Sequence, residues 1–249
     1  MVIRFLEQVG GYFILLKKVF SRPEKPYVYY KQTMHEMVFL GLNSVGIISI
    51  ISFFMGAVIT LQTAYNTENP IYPTYLIGLG CRDSILLEFS STIAGLILAG
   101  KVGSSIASEI GTMRVTEQID AMEVSGTNPL GFVVTTRVMA AMITVPVLVI
   151  FADAFSLFGA FLAVNIFEDT SSTLFIDRSF SMLGFRDLMP ATIKTVFFGF
   201  FLGLIGCYKG YNAGIGTESV GKAANSAVVS ASLTIFVIDL VFVLITNLL

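Results

Sequence analysis

The chain has 249 residues, of which 55% are hydrophobic and only 13% are charged, and its mean hydropathy is +0.81. A soluble domain carries about 25% charged residues, so this composition indicates a protein built for a lipid bilayer. The net charge of -2 and the scattered basic residues argue against a nucleic-acid-binding protein.

The N-terminal region, residues 1–31, is predicted to form an interfacial helix followed by a linker. Its first 20 residues mix apolar and charged positions, which suits a helix lying in the membrane interface rather than one that spans it. Two prolines in SRPEKPYVYYK (residues 21–31) mark a break before a transmembrane domain at residues 32–249.

Five apolar stretches are long enough to cross a bilayer, which requires about 20 residues. The predicted spans are residues 37–64, 84–106, 132–167, 188–207 and 226–249. Polar loops are predicted at residues 66–73, 168–187 and 208–225. The predicted fold class is therefore an all-α integral membrane protein with an N-terminal interfacial helix and about five transmembrane helices.

Basic residues are unequally divided between the two sides of this topology. One side holds Arg4, Lys17, Lys18, Arg22, Lys25, Lys31, Lys101, Arg114, Arg137, Lys209 and Lys222, and the other holds Arg82, Arg178 and Arg186. Since cytoplasmic loops carry the excess of Lys and Arg, the N-terminus is predicted to be cytoplasmic and the C-terminus to lie outside.

Small residues recur at every fourth position of the second span and its extension. The helix-packing candidates are Gly95, Ala99, Gly103, Ala107 and Gly111, with Ser91 one step before them. At helical periodicity such a stripe lets helix backbones pack closely in lipid.

The polar stretch that follows this stripe predicts a short amphipathic helix in water, between spans 2 and 3. Its apolar positions share one face and its acidic positions lie on others: Val115, Ile119 and Met122, against Glu117, Asp120 and Glu123. Thr116 is the predicted N-cap, with Glu117 in the first turn, and Gly126 and Pro129 are stop signals. A membrane helix that continues into a soluble one indicates a component gripped by a soluble partner, although an ordinary cytoplasmic loop has the same pattern.

Four ionisable residues fall inside or near the ends of the predicted spans: Glu88, Asp153, Lys194 and Asp239. Charged groups in lipid are costly and usually face a bundle interior or an aqueous cavity. Glu88 either borders a cavity mouth or reaches the interface, and Lys194 either faces the bundle or extends to the headgroups. Asp239 is expected to be a hydrogen-bonded or protonated acid that holds helices together.

The sequence has neither a nucleotide motif nor a catalytic constellation. A GxxxxGK[ST] phosphate loop is absent, and His35, the one histidine, is not set in a recognisable arrangement of nucleophile, base and orienting acid. Cys81 and Cys207 fall near opposite membrane faces, so we expect neither a disulfide nor a metal site. We therefore expect a protein that is not itself an enzyme.

Residues 99–129, AGKVGSSIASEIGTMRVTEQIDAMEVSGTNP, resemble the signature of the MlaE/YrbE permease family. The matching positions are Ala99, Gly100, Gly103, Glu109, Gly111, Met113, Thr116, Glu117, Gln118, Met122, Glu123 and Pro129. Weaker matches continue at Arg137, Pro146, Ile193, Lys194, Gly210, Tyr211, Asn212, Ala213 and Asp239. The chain departs from the family pattern at Lys101, where Arg is usual, and around Glu88, where the neighbouring Arg and Gly-Pro are missing.

The resemblance implies the permease subunit of an ATP-driven phospholipid transporter in a bacterial inner membrane. It implies a homodimer with a lipid cavity between the copies, for which the candidates are Glu88, Ser91 and Gly95. It also implies that the short helix docks into a cytoplasmic ABC ATPase, which binds the ATP, through Glu109, Arg114, Thr116, Glu117, Gln118, Asp120 and Glu123. The further partners implied are a periplasmic MCE-domain protein and, in some complexes, a small cytoplasmic STAS-type subunit.

Two other classes of function stay open at this point. A self-contained secondary transporter is expected to have repeated halves and broken helices, which the odd number of spans disfavours. A non-transporting membrane scaffold would anchor partners without moving lipid.

Overall fold

The computed structural model describes residues 2–21, 26–66, 75–167 and 185–248, and every regular element in these ranges is helical. The α-helices are α1 (Val2–Ser21), α2 (Pro26–Asn66), α3 (Tyr75–Asp83), α4 (Ser90–Leu98), α5 (Ser104–Val115), α6 (Gln118–Val124), α7 (Thr135–Phe167), α8 (Phe185–Tyr211) and α9 (Thr217–Leu248). Three π-helical segments join or extend them: Ser84–Phe89, Ala99–Gly103 and Leu130–Val134.

Within the described residues, five helical stretches are long and apolar enough to cross a membrane. They are Tyr27–Asn66, Gly78–Val115, Leu130–Ile166, Leu188–Tyr211 and Thr217–Thr246. The predicted all-α integral membrane fold is confirmed. The chain is a multi-pass membrane protein.

The observed helices are longer than the predicted spans at several ends. α2 begins at Pro26, inside the predicted linker, because proline suits the first position of a helix. The predicted loop at 208–225 is wrong for most of its length, since only Asn212–Gly216 separates α8 from α9. There the turn is made by Gly216 at φ 91°, and a Glu218–Lys222 ion pair of 2.6 Å supports the first turns of α9. Residues 67–74 and 168–184, which hold most of the other two predicted loops, lie outside the described residues.

The bundle is built around close backbone contacts. α2 and α7 share the most extensive interface, and Gly56 and Gly159 make it close. A Cβ on Gly56 would overlap the Ser156 carbonyl, and one on Gly159 would overlap the Phe53 carbonyl. α5 lies between α8 and α9, so the helix that leads into α6 is inside the bundle.

α1 packs against the end of the bundle where α6 lies. Leu15 and Val19 are buried, whereas Phe13 and Ile14 are exposed apolar side chains on the opposite face. The Tyr12 ring lies 4.2 Å from the Tyr208 ring of α8, centroid to centroid. Burial, together with the neighbouring Tyr208, raises the pKa of Tyr12 to about 12, so its hydroxyl stays neutral.

Candidate functional site

The α5–α6 junction differs from the predicted one by one residue. Thr116 ends α5: its N–H and its hydroxyl both donate to the Thr112 carbonyl, at 2.9 and 2.8 Å. Glu117 takes the N-cap position of α6 and has a left-handed backbone, φ 58° and ψ 15°. The prediction of Thr116 as N-cap is therefore wrong, because its side chain is already bonded into the preceding turn.

α6 is held on the bundle by one face and presents the other. Ile119 is buried and Met122 packs against the core. The polar coupling candidates on the opposite face are exposed: Thr116, Glu117, Gln118, Asp120 and Glu123. The observed helix is thus an amphipathic element attached to a helix of the bundle.

Arg114 ties α6 to α8. Its Nη1 lies 2.6 Å from Asp120 Oδ1, and its guanidinium lies 5.6 Å from the centre of the Tyr211 ring. A guanidinium over an aromatic face is attracted by the ring quadrupole. A displacement of α6 therefore acts on the end of α8 as well as on α5.

Glu109 lies elsewhere, in a group that we call the Arg137 cluster: Gln32 and Glu36 of α2, Glu109 of α5 and Arg137 of α7. Arg137 Nη2 lies 3.1 Å from Glu109 Oε2 and 3.4 Å from Glu36 Oε1. Gln32 Nε2 donates to Glu36 Oε1 at 3.0 Å. Arg137 and Glu36 are buried, so each needs the other, because a buried charge without a partner is strongly destabilising.

The role of Glu36 was not predicted from the sequence, because the residue falls just before the predicted start of the first span, where a carboxylate needs no explanation. The available signal was the Gln32–Glu36 spacing of one helical turn on what is now the first part of α2.

At the opposite end of the bundle lies the Lys194 cluster: Glu88, Thr92 of α4, Lys194 of α8 and Asp239 of α9. Lys194 Nζ lies 2.9 Å from Asp239 Oδ1 and 3.1 Å from Glu88 Oε2, and it donates to the Leu87 carbonyl at 2.6 Å. Thr92 Oγ1 donates to Asp239 Oδ2 at 2.8 Å. The Lys194 side chain is 3% exposed and that of Glu88 is 43% exposed, so Glu88 is the open edge of the cluster.

Asp153 of α7 lies near this cluster without joining its hydrogen bonds. Its carboxylate and the Ser90 hydroxyl are both buried and lie beside each other. Ser90 also lines a small cleft between α2, α4 and α7, together with Ser52 and Ser156.

The small-residue stripe faces α8 and α9. A Cβ on Gly95 would lie 3.2 Å from Phe198, and one on Gly103 would lie 3.2 Å from Leu202, both on α8. Gly111 faces Val220 of α9 in the same way, and Ala107 lies against Gly210 of α8. The whole stripe is buried: Ser91, Gly95, Ala99, Gly103, Ala107 and Gly111.

A π-helical segment, Ala99–Gly103, interrupts the stripe and helps to keep it on one face. An α-helix turns about 100° per residue, so each four-residue step advances roughly 40° beyond a full turn. The wider π turn takes more residues and offsets part of that drift. Lys101, in the same segment, donates to the Asn43 carbonyl of α2.

In the described part of the chain, no group of three His, Cys, Asp or Glu side chains is placed to hold a metal ion. Cys81 and Cys207 are buried free thiols.

Comparisons with known proteins agree with this architecture. Residues 33–245 match the family described as Permease MlaE. A probable ABC transporter permease protein of Rickettsia prowazekii is 37% identical over 241 residues, which cover 94% of this chain and 90% of the relative. One from Synechocystis is 30% identical over 235 residues, covering 94% and 88%. The chloroplastic protein TRIGALACTOSYLDIACYLGLYCEROL 1 of Arabidopsis thaliana is 28% identical over 228 residues, covering 92% and 65%. The chain therefore belongs to the MlaE family of ABC transporter permeases.

Proposed function

We propose that this chain is the permease subunit of an ATP-driven transporter that moves phospholipids between the inner and outer membranes of a bacterium, and so maintains outer-membrane lipid asymmetry. The observation that carries the proposal is the Lys194 cluster, which places one cation and two carboxylates at the end of a largely apolar bundle opposite α6. A phospholipid combines a charged headgroup with long apolar chains. The charged cluster suits the headgroup, and the apolar helix surfaces suit the chains. A sugar or ion carrier needs a more polar pathway through the membrane.

The transporter consists of two copies with the lipid between them. Support comes from α9, whose apolar face next to Asp239 is exposed in the described part of the chain, at Phe236, Val237 and Leu240. A second copy or a lipid would cover that face. Of the three lipid-cavity candidates, Glu88 has an open side chain, whereas Ser91 and Gly95 are buried, so their contact with lipid requires α4 to move away from α8.

The movement driven by ATP is transmitted to this chain at α6. A cytoplasmic ABC ATPase binds the exposed face of this helix and displaces it when nucleotide is bound or hydrolysed. The displacement reaches α5 through the covalent junction and then α2 and α7 through the Arg137 cluster. The stripe of small residues lets α5 rock against α8 and α9 at close range.

The location follows from the distribution of basic residues. The end that carries α6 faces the cytoplasm, together with the N-terminus, and the end that carries the Lys194 cluster and the C-terminus faces the periplasm. A periplasmic MCE-domain protein receives or delivers lipid at the latter end. A small STAS-type subunit, where present, joins on the cytoplasmic side.

The test is lipid transfer by the purified assembly in proteoliposomes, with the ATPase that co-purifies with the chain and a fluorescent phospholipid. We expect ATP-dependent transfer and phospholipid bound to a dimer in native mass spectrometry. Glu88→Gln should reduce transfer about tenfold, because it removes the carboxylate charge from the Glu88–Lys194 contact, which is worth roughly 1.4 kcal/mol. Asp83→Asn, an exposed carboxylate at the same end that pairs with Arg82, is the matched control and should transfer lipid normally.

Two results would replace the proposal. Transfer driven by a proton gradient without an ATPase would identify a secondary transporter. A complex in which ATP leaves lipid movement unchanged would identify a scaffold.

A further inference from the structure

The connection between α8 and α9, residues Asn212–Gly216, is fixed to the bundle by its own contacts. The Ala213 N–H donates to the Gly210 carbonyl at 3.1 Å, and Ser219 Oγ donates to the Gly216 carbonyl at 2.6 Å. Beside it, a Cβ on Gly111 would lie 3.4 Å from the Ala213 Cβ, so the loop rests against α5. Its position therefore follows that of α5, the helix that leads into α6.

This fixed loop presents one apolar side chain to the solvent. Ile215 is fully exposed, at 101% of the reference area, although turns usually carry polar residues. The neighbouring candidate spans end at Tyr211 and begin at Thr217, so Ile215 lies in the connection between them and not on the apolar face of either span. Ile215 thus lies outside the spans, at the end of the bundle where α6 lies.

α6 supplies a second exposed apolar residue at the same end. Val124, the last residue of α6, is 90% exposed and also lies outside the candidate spans. The two elements are adjacent, since Arg114 contacts Asp120 on α6 and the Tyr211 ring just before the loop. We call the combined region the α6–loop surface: Glu117, Asp120, Glu123, Val124 and Ile215.

On the α6 part of this surface an apolar tip is combined with negative charge, whereas the loop is followed by the exposed Glu218–Lys222 ion pair. Glu117, Asp120 and Glu123 are exposed carboxylates, and Arg114 offsets only the charge of Asp120. A complementary partner has an apolar floor for the isoleucine and the valine and a rim of Lys or Arg. Such a partner carries its charges in a pattern that steers it to this end of the bundle.

We propose that the α8–α9 loop is a second docking element for the cytoplasmic ATPase, and that a single groove of that subunit covers Ile215 together with α6. This inference rests on the proposed function for the identity of the partner. Binding at both α6 and the α8–α9 loop prevents the ATPase from merely rotating α6 about its junction with α5. Instead, the same movement is delivered to α5 through α6 and to α8 and α9 through the loop.

The test compares two substitutions at one position. Ile215→Ser removes the apolar side chain and Ile215→Leu keeps it, and neither changes a buried contact within the chain. The dissociation constant of the co-purifying ATPase for the detergent-solubilised permease should rise about tenfold for Ile215→Ser and stay unchanged for Ile215→Leu. Thermal unfolding of the permease alone should be the same in all three proteins.

A photo-crosslinking residue gives an independent readout. Placed at position 215, it should form an adduct with the ATPase, whereas the same residue at Leu244, exposed near the other end of α9, should not. If Glu123→Lys weakens binding while Ile215→Ser does not, and position 215 gives no adduct, the second docking element is refuted and the proposed function stands. If the wild-type chain binds no ATPase, the second docking element and the proposed function are both refuted.

Discussion

Lys194 on α8 and Asp239 on α9 form an ion pair of 2.9 Å in which the lysine is almost wholly buried. The pair joins two successive spans, and Glu88 connects it to the start of the α4 region at 3.1 Å. A lysine within lipid-spanning helices is costly unless carboxylates surround it. The same arrangement therefore stabilises the bundle and leaves one carboxylate, Glu88, half open.

Removal of the buried lysine should destabilise the protein severely. Lys194→Ala leaves Asp239 without its cation, and we expect a loss of about 3–5 kcal/mol in the free energy of unfolding. The measurement is thermal or denaturant unfolding in detergent. Lys222→Ala is the matched control, because its pair with Glu218 is exposed and contributes at most about 1 kcal/mol. Equal losses in the two variants would contradict the structural role of the Lys194 cluster.

Glu109→Gln should uncouple ATP hydrolysis from lipid transfer while the chain stays folded. Arg137 keeps Glu36 as a buried partner in this variant, but the charged link to α5 is weakened. We expect the ATP hydrolysed per lipid moved to rise severalfold, with little change in unfolding temperature. The ratio is measured with paired ATPase and lipid-transfer assays, with Asp83→Asn as control. An unchanged ratio would remove the Arg137 cluster from the coupling path.

Glycines in one π-helical segment should respond differently to added side chains. At Gly103 an added Cβ would lie only 3.2 Å from Leu202, so Gly103→Leu forces α8 away and should cost on the order of 1–3 kcal/mol and impair assembly. At Gly100 nothing lies within 4 Å of a Cβ, so Gly100→Ala should be tolerated. Unfolding temperature and dimer yield check both, and a stable, active Gly103→Leu protein would argue against the packing role of the stripe.

Two substitutions at Glu117 should separate backbone strain from charge. A non-glycine residue in the left-handed region costs about 1–2 kcal/mol, so Glu117→Gly should stabilise the permease by about 1 kcal/mol. Glu117→Lys keeps the strain and reverses the charge. Both should weaken ATPase binding, and only the glycine variant should unfold at a higher temperature. Normal ATPase binding by both folded variants would exclude Glu117 from the docking surface.

The membrane class, the approximate spans and the amphipathic helix before Pro129 could all be predicted from the sequence. These features are local: a run of apolar residues long enough for a bilayer, a four-residue spacing of small side chains, and a change of periodicity after Gly111. The residues that end helices were predicted less well. Thr116 has the composition of an N-cap, but the preceding turn uses its hydroxyl, and only the three-dimensional path of α5 decides between the two.

The charge clusters were decided by tertiary structure. Glu88 and Lys194 are 106 residues apart and Lys194 and Asp239 are 45 apart, so no spacing rule brings them together. Glu36, Glu109 and Arg137 likewise meet only because α2, α5 and α7 cross at one depth. The sequence determined that this chain enters a membrane, because hydrophobicity is summed over single helices. The packing of those helices determined which buried charges meet, because each charge must find its partner on another helix.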